Sequence, residues 1–522
     1  MNRWLTLGLL LAAALALALR LPRLDQRPLH TDESVHAYKF LGLWEGRGYQ
    51  YDPHEYHGPS LYYATLPLAW LSGARDAASL SETTLRLTPV VFGVGLIALL
   101  PLLSGGLGRG GIWWAGLLTA VSPAFVYYSR YFIHELLLVF GTLLLVAGAW
   151  RWVQTRRWPW MALAGAGLGL MYATKETFVF NLAALGMAVG LTMAWAHWRE
   201  GSLWWPAEKR PWGHLVIGLA AALAISIPLF TSFFTHLRGP LDSVLTYQPW
   251  ISRAGGSSPH IHPWTFYLER LFWFHPAKGP LWTELLVLGL GLGGFGAALL
   301  GRIAGGAVVF VRFIGFYALG LTLVYTVIPY KTPWCVLGFH HAWILSAGAG
   351  AAWLASLSKP FWLRTVMAAA LLVGTGHLGV QAWRAAFPLA ADQRNPWVYA
   401  HTSPDLLRLV GQVSQIAAAR PQAADTVIKV VGRGGDYWPL PWYLRSFRQV
   451  GFYSEIPDDP WAPMMIVNSR FDAELDERSG RKWLMVGLFQ HRPNVFFELY
   501  VELELWKRYL ETRPRQRDEE DE

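Results

Sequence analysis

The strongest constraint on this chain is a series of long apolar runs that carry almost no charge. Runs of roughly 18 or more residues recur from the N-terminus to about residue 383, and an α-helix needs that length to cross the hydrocarbon core of a bilayer. Over the 522 residues, 53% are hydrophobic and only 15% are charged, which is too apolar for a soluble surface. The sequence therefore predicts a polytopic α-helical membrane protein.

About eleven of these runs are predicted transmembrane helices. The apolar stretch 59–73 is short and contains Pro67, so it favours an interfacial or re-entrant helix over a full span. The first run follows Arg3, as in a signal peptide, but no A-x-A site precedes Arg20, which favours an uncleaved first helix. The predicted spans are 4–20, 85–103, 110–128, 132–150, 158–174, 177–196, 213–233, 281–300, 313–329, 335–356 and 362–383.

Basic residues in the connections predict the orientation of the chain. With a cytoplasmic N-terminus, every cytoplasmic connection carries Arg or Lys, as the positive-inside rule requires. Counting 59–73 as a full span would invert all later loops and destroy this pattern. We therefore expect a multi-pass protein of the cytoplasmic (inner) membrane, with its N-terminus inside and its C-terminal domain outside. The cytoplasmic connections are then 104–109, 151–157, 197–212, 301–312 and 357–364.

The expected domain organisation has three parts. Residues 1–385 form a transmembrane domain, whose main outer-face loops are 21–84 and 234–280. Residues 386–512 form a small extracytoplasmic α/β domain, because apolar residues recur at helical spacing in 405–420 and strand-like runs follow at 426–431 and 464–467. Residues 513–522 are mostly charged and are predicted to be disordered.

Composition and missing motifs disfavour several function classes. The net charge of +9 comes from basic loops between the spans, so we expect membrane lipids and no nucleic acid as partners. The single cysteine, Cys335, excludes an intrachain disulfide framework and a multi-cysteine zinc site. Neither a G-x-x-x-x-G-K-[ST] phosphate loop nor a Rossmann-type unit occurs in the sequence, which disfavours a soluble nucleotide-binding enzyme.

Two adjacent carboxylates, Asp32 and Glu33, follow the first predicted span. Helix capping by Thr31, with acids in the first helical turn, accounts for one of them. The same loop carries His36 and His57, and Asp32 and His36 share a helix face at i, i+4. We therefore predict Asp32 and Glu33 as catalytic carboxylates, with His36 and His57 as substrate-binding residues.

Further ionisable residues lie at the ends of later spans. Glu135 stands at the top of a membrane helix, where ionisable groups are costly and usually functional. Arg130 lies in the preceding turn, and its alternative role is to snorkel to lipid headgroups. Lys175 and Glu176 occupy a tight turn between two apolar helices, where a salt bridge within the turn is the structural alternative. We predict Glu135 as a catalytic acid and Arg130 and Lys175 as substrate-binding cations.

Two outer segments complete the candidate site. Prolines on both sides stiffen the turn that carries Lys331, and this ammonium is suited to a lipid-linked phosphate, with Trp334 beside it as a substrate-binding residue. The alternative for this turn is an interfacial anchor. His260 and His262 in the loop 234–280 are weak metal-ligand candidates, and solvated loop histidines are their alternative. A divalent cation therefore stays an open expectation, and no other cofactor is expected.

The ordered set of motifs resembles the GT-C superfamily of glycosyltransferases. An acidic pair after the first helix, a Ser-Arg with a following acid at the second outer loop and about eleven spans carry this resemblance. The nearest branch is glycosyltransferase family 39-like, which includes protein O-mannosyltransferases and aminoarabinose transferases. Four segments are also similar to a prokaryotic family labelled as flippase activity-associated in archaeal N-glycosylation: Thr31–Ser34, Tyr330–Trp334, Asn395–Tyr399 and Asp436–Tyr443.

The resemblance implies inverting transfer of a sugar from a polyprenyl-phosphate donor to an acceptor hydroxyl at the extracytoplasmic face. Asp32 matches the catalytic base of the family and Glu33 its partner, while Glu135 stands where many relatives have Asp. Arg130 and Lys331 would neutralise the phosphate leaving group. The implied partners are a polyprenyl-phosphate-linked sugar and a lipid, glycan or protein acceptor.

Two other functions compete with this interpretation. An accessory or flippase-associated protein would bind polyprenyl-linked glycans without chemistry. A secondary transporter is disfavoured, because its ionisable groups should lie in the middle of the spans, whereas the charged residues here gather at one face. Catalysis requires the predicted residues to meet in one cavity at the non-cytoplasmic boundary.

Overall fold

The computed structural model describes residues 3–54, 57–201, 212–254, 260–357 and 360–513. The chain divides into two compact units. The first unit contains Met1–Leu24, Gly48–Gly73 and Thr83–Tyr399, and the second contains Asp25–Arg47, Ala74–Glu82 and Ala400–Glu522. This division differs from the expected boundary at 385/386, because two segments of the first outer loop pack with the C-terminal part. Residues 514–522 of the predicted disordered tail lie outside the described residues.

Helices make up most of the described chain. They are α1 (Arg3–Arg20), α2 (Thr31–Trp44), α3 (Ser60–Leu71), α4 (Glu82–Leu99), α5 (Ser104–Val121), α6 (Pro123–Tyr128), α7 (Glu135–Thr155), α8 (Trp158–Tyr172), α9 (Phe178–Glu200), α10 (Trp212–Phe230), α11 (Gly239–Leu245), α12 (Tyr247–Ala254), α13 (Phe266–Phe272), α14 (Leu285–Leu299), α15 (Val308–Val327), α16 (Val336–Leu357), α17 (Phe361–Ala386), α18 (Asp405–Ala417), α19 (Leu440–Tyr443), α20 (Leu475–Arg478) and α21 (Leu503–Glu511).

Long apolar helices confirm a multi-pass membrane protein. Among the described residues, seven segments are long and apolar enough to cross a membrane, one of which, Glu82–Val121, holds both α4 and α5. Two expected spans form shorter helices, since α8 and α14 have 15 residues each. Helix α3 has 12 residues and contains Pro67, in agreement with the short helix expected there. The count of eleven spans stays a prediction.

Small residues let the helices of the first unit approach closely. Gly165 and Gly169 of α8 face Gly218 and Ala222 of α10, and a Cβ atom on either α8 glycine would overlap the α10 backbone. In a bilayer the lipid tails are as apolar as the side chains, so close van der Waals contact rather than hydrophobic burial drives helices together. These small residues therefore fix the packing of α8 against α10.

Two buried arginines fasten the C-terminal end of α1. The Arg20 guanidinium donates to Ser129 Oγ at 3.0 Å and to the carbonyl oxygen of Ala120 at 2.7 Å. Arg130 donates to the carbonyl oxygens of Arg20, Pro22 and Arg23 at 2.7–2.8 Å. The last carbonyls of a helix have no partners within that helix. Arg130 therefore supplies a donor to the last carbonyl of α1 and two donors to the turn that follows it.

The second unit is built around a five-stranded sheet. Its strands are β1 (Ile428–Val431), β2 (Val450–Tyr453), β3 (Met464–Asn468), β4 (Trp483–Arg492) and β5 (Val495–Glu502), in the order β2-β1-β3-β5-β4. Strand β1 is parallel to β2 and β3, and β5 is antiparallel to β3 and β4. One core joins apolar residues of α18 and of the sheet. This confirms the expected small α/β domain.

We expect Arg130→Ala to destabilise the first unit by about 3 kcal/mol, because three carbonyls lose charged hydrogen-bond donors. Thermal unfolding in detergent measures this effect. Arg47→Ala is the control, since Arg47 is largely exposed and pairs with the exposed Glu45, and it should leave the unfolding temperature nearly unchanged. Equal unfolding temperatures for Arg130→Ala and the parent chain would contradict the capping role.

Candidate active site

The acidic pair lies at the N-terminus of α2 in the second unit. His30 is the N-cap residue: its Nδ1 accepts from the backbone N–H of Asp32 at 3.1 Å, and Glu33 Oε2 accepts from the backbone N–H of His30 at 3.0 Å. This is a capping box, with histidine in the usual place of Ser or Thr. Glu33 is fully buried and also pairs with Arg27 at 3.0 Å. Glu33 is therefore committed to holding the helix terminus.

Asp32 has a different environment from Glu33. Its side chain is 44% exposed, and its carboxylate lies 3.8 Å from His30 Nδ1. His36, predicted to share a face with Asp32, is buried. The capping interpretation thus accounts for Glu33, and it leaves Asp32 as the acid of the pair that a substrate can reach.

Arg492, a residue that sequence reasoning missed, holds the start of α2. Its guanidinium donates to Thr31 Oγ1 at 2.7 Å and to the carbonyl oxygen of Trp438 at 2.9 Å, and it pairs with Asp436 at 2.7 Å. Arg492 ends strand β4, 461 positions after Thr31 in the chain. No signal in the sequence marks Arg492, although Asp436 and Trp438 belong to a motif singled out by resemblance.

Two titratable groups near this terminus have shifted pKa values. Burial lowers the pKa of His30 below its ordinary 6.5, and the positive charges of Arg492 and Arg27 lower it further. The negative charges of Asp32 and Glu33 raise it, but by less. Burial acts to raise the pKa of Asp436, but His491 and Arg492 outweigh it and hold that pKa below its ordinary value. At neutral pH the fold therefore favours a neutral His30 and an ionised Asp436.

In the first unit, Lys175 is paired with Glu135. The Lys175 ammonium donates to Glu135 Oε1, and both side chains are buried. Burial alone would lower the pKa of Lys175, but the carboxylate of Glu135 outweighs it and raises that pKa above its ordinary value. Glu135, Lys175 and Trp334 also line one small cavity. The structure thus joins three predicted site residues that lie far apart in the sequence.

Glu176 is bound by His57 rather than by its neighbour Lys175. His57 Nδ1 lies 2.8 Å from Glu176 Oε2, and Tyr51 donates to Oε1 at 3.1 Å. The His57 ring also stacks on Trp250, with ring centroids 5.4 Å apart. Burial acts to raise the pKa of Glu176, but His57 outweighs it and holds the pKa below its ordinary value. Lys175 thus bonds to Glu135 and Glu176 bonds to His57, so the two neighbours do not form the salt bridge within the turn that was the structural alternative.

The two weak metal-ligand candidates converge on a tyrosine. His260 Nδ1 lies 2.7 Å and His262 Nε2 3.0 Å from the Tyr399 hydroxyl. No group of three or more His, Cys, Asp or Glu side chains that could hold a metal ion occurs within the described part of the chain. Among the described residues, His260 and His262 therefore have no third His, Cys, Asp or Glu with which to hold a metal ion.

His262 lies near the cationic side chains of Arg270 and Lys331. Burial lowers the pKa of His262, and the charges of Arg270, His260 and Lys331 lower it further. Lys331 is itself buried, which lowers its pKa, and its ammonium donates to the carbonyl oxygen of Ile328. Arg270 was not predicted from the sequence. A cluster of cationic groups of this kind is suited to a phosphate oxygen.

The predicted residues are therefore distributed over both units. Asp32, Glu33 and His36 belong to the second unit, and the remaining candidates belong to the first. That all of them meet in one cavity stays a prediction. The remaining first-unit candidates are His57, Arg130, Glu135, Lys175, His260, His262, Lys331 and Trp334.

The chain is similar in sequence and in fold to known proteins. Residues 10–238 match the family model described as dolichyl-phosphate-mannose-protein mannosyltransferase. The structure is similar to ArnT from Cupriavidus metallidurans bound to undecaprenyl phosphate, with a TM-score of 0.60 and 15% identity, covering 95% of this chain and 98% of that chain. It is also similar to the Archaeoglobus fulgidus oligosaccharyltransferase tethered with an acceptor peptide, with a TM-score of 0.52 and 12% identity, covering 86% of this chain and 64% of that chain. No curated protein sequence matches the chain.

The fold of the chain follows from the structural likenesses. Nearly the whole chain has the GT-C fold of membrane glycosyltransferases. The family match covers residues 10–238 of the 522, and the two solved structures, at 15% and 12% identity, show the fold. The fold implied by the resemblance of the sequence motifs is confirmed, and the flippase-associated branch stays a prediction.

We expect Glu135→Gln to cost about 3–5 kcal/mol of stability, because it leaves the buried Lys175 ammonium without its counter-ion. The double variant Glu135→Gln/Lys175→Met should recover most of this loss. Unfolding of the single and double variants in detergent measures the coupling energy. Glu45→Gln, in the exposed pair with Arg47, is the control and should cost about 0–1 kcal/mol. A double variant as unstable as Glu135→Gln would contradict the pairing.

The lowered pKa of His30 predicts a pH dependence. Its folded-state pKa lies below the unfolded value near 6.5, so its stabilising contribution is full above about pH 6.5 and is lost as the pH falls below it. His30→Asn keeps a capping acceptor and removes this titration. We expect a smaller stability loss from pH 7.5 to 5.5 in His30→Asn than in the parent chain, measured by thermal unfolding. The same slope in His30→Asn as in the parent chain would refute the assignment.

Proposed function

We propose that the chain transfers a sugar from a polyprenyl-phosphate donor to an acceptor hydroxyl at the extracytoplasmic face. The observation that carries this proposal is the likeness over almost the full length of both chains to a structure described as bound to undecaprenyl phosphate. The family model for residues 10–238, whose description names a dolichyl-phosphate sugar donor, supports the same donor class. The basic connections between spans support an extracytoplasmic site with a cytoplasmic N-terminus.

Asp32 is the proposed general base. It removes the proton of the acceptor hydroxyl as that oxygen attacks the anomeric carbon of the donor sugar. The new bond joins the acceptor oxygen to the anomeric carbon, while the bond from that carbon to the phosphate oxygen breaks and leaves its electron pair on the phosphate. A single displacement of this kind inverts the anomeric configuration. The exposed carboxylate of Asp32, beside a Glu33 committed to capping, supports this role.

Lys331 and Arg270, with His262, are the proposed groups for the donor phosphate. Lys331 and Arg270 supply the positive charge, and His262 can donate from its ring. The backbone N–H of Lys331 donates to the carbonyl oxygen of His260 at 2.8 Å, and the Arg270 guanidinium lies 3.6 Å from the centroid of the Phe266 ring, on which the His262 ring stacks at 4.3 Å, which supports their proximity. Charge-assisted hydrogen bonds from such groups stabilise the negative charge that develops on the leaving phosphate. The charge of Glu269 raises the pKa of Arg270. The Glu269 side chain is exposed and accepts a hydrogen bond from Thr265.

The other candidates are proposed to shape the site. Arg130 and Lys175 act through their partners, since Arg130 caps α1 and Lys175 neutralises Glu135. Glu33 would then hold the start of α2 and Glu135 would hold the Lys175 ammonium, and neither would exchange protons with the substrate. Direct substrate contacts remain proposed for His36, His57 and Trp334.

We expect Asp32→Asn to reduce transfer about 10²- to 10⁴-fold, the usual effect of losing a general base, while polyprenyl phosphate still binds. The measurement is transfer from a fluorescent polyprenyl-phosphate sugar in membranes that contain the full chain. Asp76→Asn is the matched control, because Asp76 is an exposed acid of the second unit whose carboxylate accepts hydrogen bonds from the nearby Ser79. Unchanged transfer or an unaltered cellular glycan profile in Asp32→Asn would instead favour an accessory protein without chemistry.

A further inference from the structure

Helix α2 of the second unit has one accessible face beside Asp32. Asp32, Val35, Tyr38 and Lys39 all retain exposed surface, and at 100° per residue they fall within an arc of about 120°. Tyr38 is 50% exposed. The opposite face packs inward through the buried residues Glu33, Ser34, His36, Ala37, Phe40 and Leu41.

Trp438 adds a second aromatic ring to this face. The ring centroids of Tyr38 and Trp438 lie 5.8 Å apart and their planes cross at 78°, so the two rings form a corner. Trp438 is half-buried, and its carbonyl oxygen accepts from Arg492, which Asp436 and Thr31 hold in turn. The aromatic corner and the terminus that carries Asp32 are therefore fixed by one guanidinium.

We propose that this face is an acceptor subsite for a saccharide, an inference that rests on the proposed glycosyl transfer. The C–H groups on one side of a pyranose ring form an apolar surface that packs on aromatic rings, as weak C–H contacts with π-systems allow. The hydroxyl groups at the ring edge need charged or planar polar partners. Tyr38 and Trp438 supply the aromatic rings, and Asp32 supplies a charged partner for the hydroxyl groups.

The spacing along α2 indicates how the acceptor lies. Tyr38 follows Asp32 by six residues, which is about 9 Å along the helix axis, so one sugar ring on Tyr38 leaves room for another at Asp32. The terminal sugar then places its hydroxyl at the carboxylate, and the preceding sugar packs in the aromatic corner. A peptide acceptor is disfavoured, because peptides are commonly held through their backbone at a strand edge or in a groove, and this face is a helix with an aromatic corner.

Saturation-transfer NMR on the full chain in detergent, without donor, tests the subsite. The probes are chitotriose, mannotriose and a serine- and threonine-containing hexapeptide. We expect a trisaccharide to receive saturation, and Trp438→Leu or Tyr38→Leu to weaken its binding about tenfold. Because Tyr38 is half exposed, Tyr38→Leu keeps the test informative if Trp438→Leu does not fold. Trp506→Leu, at a half-buried tryptophan of the same unit that packs on Tyr509, should bind like the parent chain.

Three results overturn the proposal: neither trisaccharide binds, binding is unchanged in both aromatic variants, or the hexapeptide binds instead in a manner that depends on Trp438. Failure of the proposed transfer is separable from these results. A chain that binds a trisaccharide through Tyr38 and Trp438 but transfers no sugar from a polyprenyl phosphate would retain the subsite and refute the enzymatic function.

Discussion

The capping box at the start of α2 decides which of two adjacent carboxylates is available for chemistry. A helix terminus leaves backbone N–H groups without partners, and Glu33 satisfies that of His30 while also neutralising Arg27. A carboxylate held by a buried guanidinium and a backbone donor has little capacity left for a substrate proton. Asp32, one position earlier, has its N–H satisfied by His30 and leaves its own side chain at the surface. The geometry of the cap thus separates a carboxylate bound within the fold from one that lies at the surface.

A second constraint is that buried charges in a membrane protein need partners. An isolated charge in a medium of low dielectric constant is strongly destabilised, and the first unit meets this cost in two ways. Lys175 is neutralised by Glu135, while Arg130 is satisfied by the carbonyl oxygens at the end of α1. Lys331 differs from both, because its one hydrogen-bond acceptor in the described residues is a single carbonyl oxygen. Its ammonium therefore has further N–H groups that can donate to an anion.

Much of the architecture could be predicted from the sequence, because the bilayer demands long apolar runs and basic loops regardless of tertiary detail. The acidic pair and Lys331 were predicted as site residues in the same way, as polar residues beside apolar runs, and their roles stay predictions. The pairing of side chains could not be predicted. Arg492 and Thr31 are 461 positions apart, and the choice of Lys175 between Glu135 and Glu176 depends on helix packing. The association of 25–47 with the C-terminal sheet also depends on long-range contacts, such as the hydrogen bond of Tyr443 to Leu29, that no local pattern encodes.

The most direct test of this account is an electron cryomicroscopy structure of the full chain with a polyprenyl phosphate and a bound trisaccharide. The account predicts phosphate density within about 3 Å of the nitrogen atoms of Lys331 or Arg270 and a sugar hydroxyl at the carboxylate of Asp32. A phosphate bound away from both cations, or an Asp32 that no substrate hydroxyl reaches, would contradict it.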